Sequence, residues 1–145
     1  MEQQLIVKRS ILVNADNTTV WEALTNPEQT KKYMFNCEVA SDWQVGSPIT
    51  WQGNFQGYEA FQKGTILQCI PGKLVQYTTF DPNFDMADLP ENYLHVTYEL
   101  HNRDGKTELT ITNENFGGDE KRCEHTAMGW DNMIIPKLKE LLEHS

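Results

Sequence analysis

Hydrophobic residues alternate with polar ones along much of this chain, and the pattern breaks in two places. Leu5, Val7, Ile11 and Val13 share one parity, interrupted by Arg9, which predicts a strand over 5–13 with one buried face. The clearest alternation is "NYLHVTYELH". There Leu94, Val96, Tyr98 and Leu100 face one way, and His95, Thr97, Glu99 and His101 the other. "RDGK" (103–106) then predicts a hairpin leading to Leu109 and Ile111 on a partner strand. Further runs rich in Ile, Val, Thr, Tyr and Phe over 37–43, 47–54, 60–70 and 73–80 are punctuated by glycine-bearing turns. With strands over 92–101 and 106–113, they predict an antiparallel meander.

The first break is "VWEALTNPEQTKKYMF" (20–35). Asn14 or Asp16 can cap a helix bearing Val20, Trp21, Ala23 and Leu24 on one side. Asn26 can cap a second, with Pro27 at its first position and Gln29 at the capping-box position. Pro27 disfavours helical geometry at Asn26, so a corner separates two helices of about two turns each. The second break is the end of the chain, over about 119–143. Cys123, Ala127, Trp130, Ile134, Leu138, Leu141 and Leu142 recur there at steps of three and four, an amphipathic helix. Gly129 and Pro136 disagree with it, and a kink is expected near 132–136.

A sheet with one apolar face must cover it, and the terminal helix is the longest element available. The order therefore predicts an α+β fold: a curved antiparallel sheet of about seven strands around a C-terminal helix, with the helix pair closing one end. The 145 residues form one domain, 1–145.

Charge and cysteines narrow the function. The net charge is −9, with four acids and four bases balanced over 1–36 and the whole excess downstream. No basic cluster exceeds a pair, so nucleic acid and anionic membranes are not expected partners. The three cysteines are widely spaced, without a CxxC, which reads as reduced thiols in a cytoplasmic protein. No signal peptide or membrane span is expected.

"ILVNADNTTVWEALTNPEQTKKYM", "IPGKLVQYTTF" and "GWDNMIIPKLKELLE" resemble the START-like, helix-grip (SRPBCC) superfamily, and within it the AHSA-like branch named after activators of the heat-shock-protein ATPase. Many members carry a tryptophan near the end of the second helix, where this chain has Tyr33-Met34-Phe35. The resemblance implies the helix-grip fold. It also implies a function drawn from small-molecule or lipid binding, polyketide cyclisation and co-chaperone activity in a stress response.

The aromatic side chains set the first expectation: a cavity between sheet and C-terminal helix that binds a small hydrophobic or aromatic molecule, such as a lipid, polyketide or flavonoid-like compound. Trp51, Phe61, Tyr77, Tyr98, Trp130 and Met133 would line it, and Phe84 and Met86, with Leu89, would cap it from the acidic loop 81–92. A dry void of ~300 Å³ would cost roughly 7 kcal/mol at ~24 cal/mol per Å³, so such a cavity must be hydrated or filled. The alternatives are an interaction module for a heat-shock ATPase and a cyclase or hydrolase. Metal, cofactor and catalytic motifs are absent: there is no H-x-x-x-H, G-x-S-x-G or P-loop. An enzyme would need an inward-facing His or carboxylate with a perturbed pKa.

Overall fold

Strand pairing sets the architecture. The computed structural model describes residues 5–82 and 86–143. Seven strands are β1 (Ile6–Val13), β2 (Glu38–Ser41), β3 (Pro48–Phe55), β4 (Tyr58–Ile70), β5 (Leu74–Thr79), β6 (Leu94–Arg103) and β7 (Lys106–Glu114). They form one antiparallel sheet in the order β1-β7-β6-β5-β4-β3-β2. Consecutive strands are neighbours except β1, which pairs with the last strand and so becomes one edge. Register locks Arg9 opposite Ile111, Tyr98 opposite Ile111, and Trp51 opposite Gln62.

The concave face collects Val7, Val13, Ile49, Trp51, Ile66 and Val75, with Tyr77, Val96, Tyr98, Leu109 and Ile111, all buried. The curl has a local cause. The register of β4 against β5 shifts between Ile66 and Gln68, and the Thr78 hydroxyl accepts from the Thr65 N–H at 2.9 Å. Gly64 makes the close approach possible, because a Cβ there would run into the Thr78 carbonyl.

The helix pair is α1 (Asn17–Thr25) and α2 (Pro27–Thr30). Asp16 caps α1, accepting from Thr19 N–H at 2.8 Å, and Asn26 caps α2, accepting from Glu28 N–H at 2.9 Å. α2 is one turn, shorter than the two expected. The Thr30 hydroxyl donates to the Cys37 carbonyl and accepts from Val39 N–H, which ties the end of α2 directly to β2. α1 packs on α4 (Ile135–Glu143) and on β6 and β7, and the Thr107 hydroxyl is held at 2.8 Å from the Ala15 carbonyl. The pair thus plugs the end of the curl at the β6–β7 hairpin.

The C-terminal helix begins as α3 (Glu120–Gly129), widens into a π-helical turn over Trp130–Ile134, and continues as α4. The expected kink is this turn, starting slightly earlier. Pro136 offers no N–H to Asn132, and its ring would press on that carbonyl. In the wide turn Ile135 N–H instead reaches the Trp130 carbonyl, five residues back. Among the described residues no helix is long and apolar enough to cross a membrane.

Candidate functional site: an aromatic ladder under the helix

Four aromatic rings from four elements meet on the concave face. Trp51 of β3 lies 6.1 Å from Tyr77 of β5, Tyr77 lies 5.9 Å from Tyr98 of β6, and Tyr98 lies 6.2 Å from Trp130, the last edge-on. These are attractive separations for tilted and edge-to-face rings. The ladder spans the sheet and ends on the π-helical turn, each ring no more than 5% exposed. Tyr77 and Tyr98 share one hydrogen bond between their hydroxyls, at 3.2 Å. Burial pushes the Tyr98 phenol up to about 12, and Tyr77 and Tyr33 well above their ordinary value. All three stay neutral at physiological pH.

Tyr33, just past the end of α2, is buried and its hydroxyl donates to the Ala23 carbonyl at 2.7 Å. The reason is in the sequence: the residue four past Ala23 is Pro27, which has no N–H to give that carbonyl.

Of the residues expected to line a cavity, Trp51, Tyr77, Tyr98 and Trp130 are brought together. Met133 lies half-buried in the π-helical turn. Phe61 does not join them. It pairs with Gln52, so it has the opposite parity to Trp51 and Gln62 and sits on the convex face. In the expected cap, Met86 is half-buried and Leu89 exposed, while Phe84 lies outside the described residues. The segment after Met86 is pinned to the sheet. Asp88 pairs with Lys63 at 2.5 Å and accepts from the Tyr93 hydroxyl at 2.6 Å, and Tyr93 stacks on Phe80.

Two polar residues of the concave face were missed as site candidates. Asn113 continues the inward parity of Leu109 and Ile111, opposite Val7 and Val96; it is 3% exposed and its Nδ2 has no hydrogen-bond partner. A polar residue that keeps the parity of Leu109 and Ile111 is the signal that could have found it. Arg9, visible as the interruption in its strand, reaches from the edge to Asp131 of the π-helical turn through a two-pronged pair at 2.8 and 3.0 Å. The histidines and carboxylates carried by the described strands (Glu38, Glu59, His95, Glu99, His101, Glu108 and Glu114) all have convex parity. Among the described residues no group of His, Cys, Asp and Glu is arranged to hold a metal ion.

Comparison with known proteins agrees with the fold. The family described as "Activator of Hsp90 ATPase homolog 1-like protein" matches residues 14–143. The chain belongs to that family. ChR145 from Cytophaga hutchinsonii, whose structure was solved in solution, is 40% identical over 99% of this chain and 97% of its own, with a TM-score of 0.81. The Aha1 dimer from Colwellia psychrerythraea shares the fold at 21% identity, covering 95% of this chain and 96% of that one, with a TM-score of 0.73. DynU16, a protein of the dynemicin biosynthetic locus, shares it at 16% identity, covering 97% of this chain and 48% of that one, with a TM-score of 0.78. No curated protein matches the chain. The helix-grip architecture of the AHSA1-like group is thus the fold found here, with its strand-capping helix pair and long terminal helix.

One cavity lies away from the ladder. About 290 Å³ opens where α1 meets α4, lined by Thr18, Glu22, Gln29, Leu141 and Leu142 among others. Thr18 and Glu22 are exposed and Gln29 half-buried, and the Glu22 carboxylate is already engaged by the Asn26 side-chain amide at 2.7 Å.

Proposed function

We propose that this protein binds a small, flat, largely apolar molecule between the concave face of the sheet and its C-terminal helix, without chemically changing it. The observation that carries this reading is the ladder Trp51–Tyr77–Tyr98–Trp130, a contiguous run of rings that a planar guest would meet once helix and sheet part. The π-helical turn under Trp130 supports it, since such turns recur at functional sites. DynU16, of a biosynthetic locus, is a structural neighbour in keeping with small-molecule work. Because the rings are closed over, the guest enters as the helix and sheet part, most readily at the β1 edge, where the Arg9–Asp131 pair is solvent-exposed. The convex parity of the strand carboxylates and histidines favours holding a molecule over converting it. Binding to a heat-shock ATPase is the alternative that the family's description suggests.

Titration of ¹⁵N-labelled protein with flavone, a flat polycyclic ketone and a medium-chain fatty acid tests the reading. Shifts are expected at the Trp51 and Trp130 indoles and along 75–79 and 94–98. Unmoved spectra up to the solubility limit of every compound would sink it.

A further inference from the structure

The two edges of the sheet are finished differently. β2, at one end, is four residues long, and its Val39 N–H is taken by the Thr30 hydroxyl. β1, at the other, runs eight residues in unbroken register with β7. It has no proline, glycine or bulge to interrupt pairing, and Lys8 is its one outward charge.

Which of its groups face outward follows from the β6–β7 hairpin. The two-residue turn Asp104-Gly105 makes Arg103 and Lys106 a hydrogen-bonded pair, so the even residues of β7 serve β6 and the odd ones serve β1. Val7, Arg9, Ile11 and Val13 stand opposite those odd residues. The backbone groups of Ile6, Lys8, Ser10 and Leu12 therefore turn away from the sheet. Two side chains mark the same parity. The Arg9 guanidinium donates to the Lys8 carbonyl at 2.9 Å, and beyond the strand Glu143 accepts from the Asn14 N–H at 3.1 Å. Among the described residues the outward backbone groups of Ile6, Ser10 and Leu12 have no such cover.

The side chains at these positions are all exposed. The two large apolar ones, Ile6 at 47% and Leu12 at 50%, lie at equal distances either side of Arg9. An antiparallel partner centred on Arg9 sets Ile6 against Leu12 of the second copy, Leu12 against its Ile6, and Lys8 against Ser10. On the inner face Val7 meets Ile11, and Arg9 meets Arg9, each guanidinium already neutralised by its own Asp131. Sliding the partner by two residues either way leaves neither Ile6 nor Leu12 with an apolar partner.

We propose that β1 is a docking edge for β1 of a second copy of this chain, the two sheets joining across a two-fold axis at Arg9 through about eight backbone hydrogen bonds. Such a strand pair buries roughly 1,000 Å² in all, below the ~1,200–2,000 Å² of stable complexes, so the dimer is transient and forms at about 0.1 mM. Each copy carries a net charge of −9, so salt strengthens it.

Sedimentation velocity of the full-length protein from about 10 µM to about 1 mM should show the dimer, and amide exchange its register. With rising concentration the amides of Ile6, Lys8, Ser10 and Leu12 become protected, while those of Val7, Arg9 and Ile11, already bonded to β7, do not change. Ser10→Pro deletes one outward N–H at an edge where proline is tolerated, and Ile6→Lys puts a charge against Leu12; each should weaken dimerisation by about tenfold or more. Mixing the Ile6→Lys and Leu12→Glu variants should restore it to within about threefold of wild type, because the register about Arg9 places the two substitutions opposite each other. A monomer at every concentration, with the four amides exchanging freely, overturns the proposal and leaves the edge to water or to a strand of another protein. A dimer protected elsewhere, or a mixture that stays monomeric, overturns it too. Cooperative urea unfolding checks that each variant folds, and the wild-type exchange pattern decides even if one does not.

Discussion

The two faces of β6 and β7 are built from alternate residues of the same strands, yet they obey different rules. Outward, Thr97 accepts from the Gln76 amide at 3.1 Å, Thr110 bonds Ser10 at 2.7 Å, and Glu108 pairs loosely with Arg103 at 3.4 Å. Water stands ready to replace most of these partners, so any one is worth little. Inward, Tyr98 and Asn113 are shut away from water, and each polar atom needs a specific partner or goes without. A hydroxyl on the outer face reflects strand propensity and solubility. On the inner face it fixes what the interior can hold.

The sharpest way to break this contrast is to cut the ladder at its end. Trp130→Ala is expected to cost about 3–5 kcal/mol in urea unfolding, as for other buried large aromatics. Thr97→Ala, on the opposite face of the strand that carries Tyr98, should stay within about 1 kcal/mol. Retention of the fold with loss of binding in Trp130→Ala would mark the ladder as a binding surface. Similar costs for the two substitutions would mean that the faces do not differ as argued.

That contrast was partly legible in the sequence. In 94–101 and 106–113 strict alternation with an Asp-Gly hairpin groups Tyr98 with Leu94, Val96 and Leu100, and pairing and burial then show that this is the face turned inward with Leu109 and Ile111. The run 58–70 has no such alternation. Phe61 and Gln62 differ by one position, and only pairing with β3 decides that Gln62, opposite Trp51, turns inward. Pro136 announced a disturbance in the last helix, but whether the backbone kinks or widens depends on how its carbonyls are served in three dimensions. Asn113 was hidden by its letter: a polar residue near a strand end reads as a turn until its neighbours show it buried. The cornered helices were legible for the opposite reason, because caps and prolines act locally.

Next in size is the hydroxyl of Tyr33. Tyr33→Phe leaves the Ala23 carbonyl buried with no donor, since Pro27 cannot supply one, and should cost about 1–3 kcal/mol. Tyr77→Phe should cost less, about 0.5–1.5 kcal/mol, because the remaining Tyr98 hydroxyl loses only a mutual bond between two groups that both donate. Urea midpoints of the two variants give the order. The reverse order would mean that the Tyr77–Tyr98 bond is a structural brace.

Arg9 is where the two faces meet, since it has inward parity but stands on the edge strand and reaches water. Its guanidinium, through hydrogen bonds and charge, holds the Asp131 carboxyl below the usual carboxylate range. A carboxyl lowered in the folded state stabilises the fold at pH above its unfolded value, near 3.9, and the contribution disappears as the pH falls through the folded value. The two side chains are 36% and 45% exposed, so solvent screening keeps the pair small. Asp131→Asn should therefore cost at most about 1 kcal/mol at pH 7, and less in high salt. The difference from wild type should close in acid, once Asp131 is protonated in both folded and unfolded chains. Urea unfolding of both proteins at neutral pH and in acid reads this directly. A gap that persists in acid would show that Asp131 acts through packing at the π-helical turn. A neutral-pH gap well above 1 kcal/mol would mean that this seam is sealed from water, and the path by which a guest enters would have to lie elsewhere.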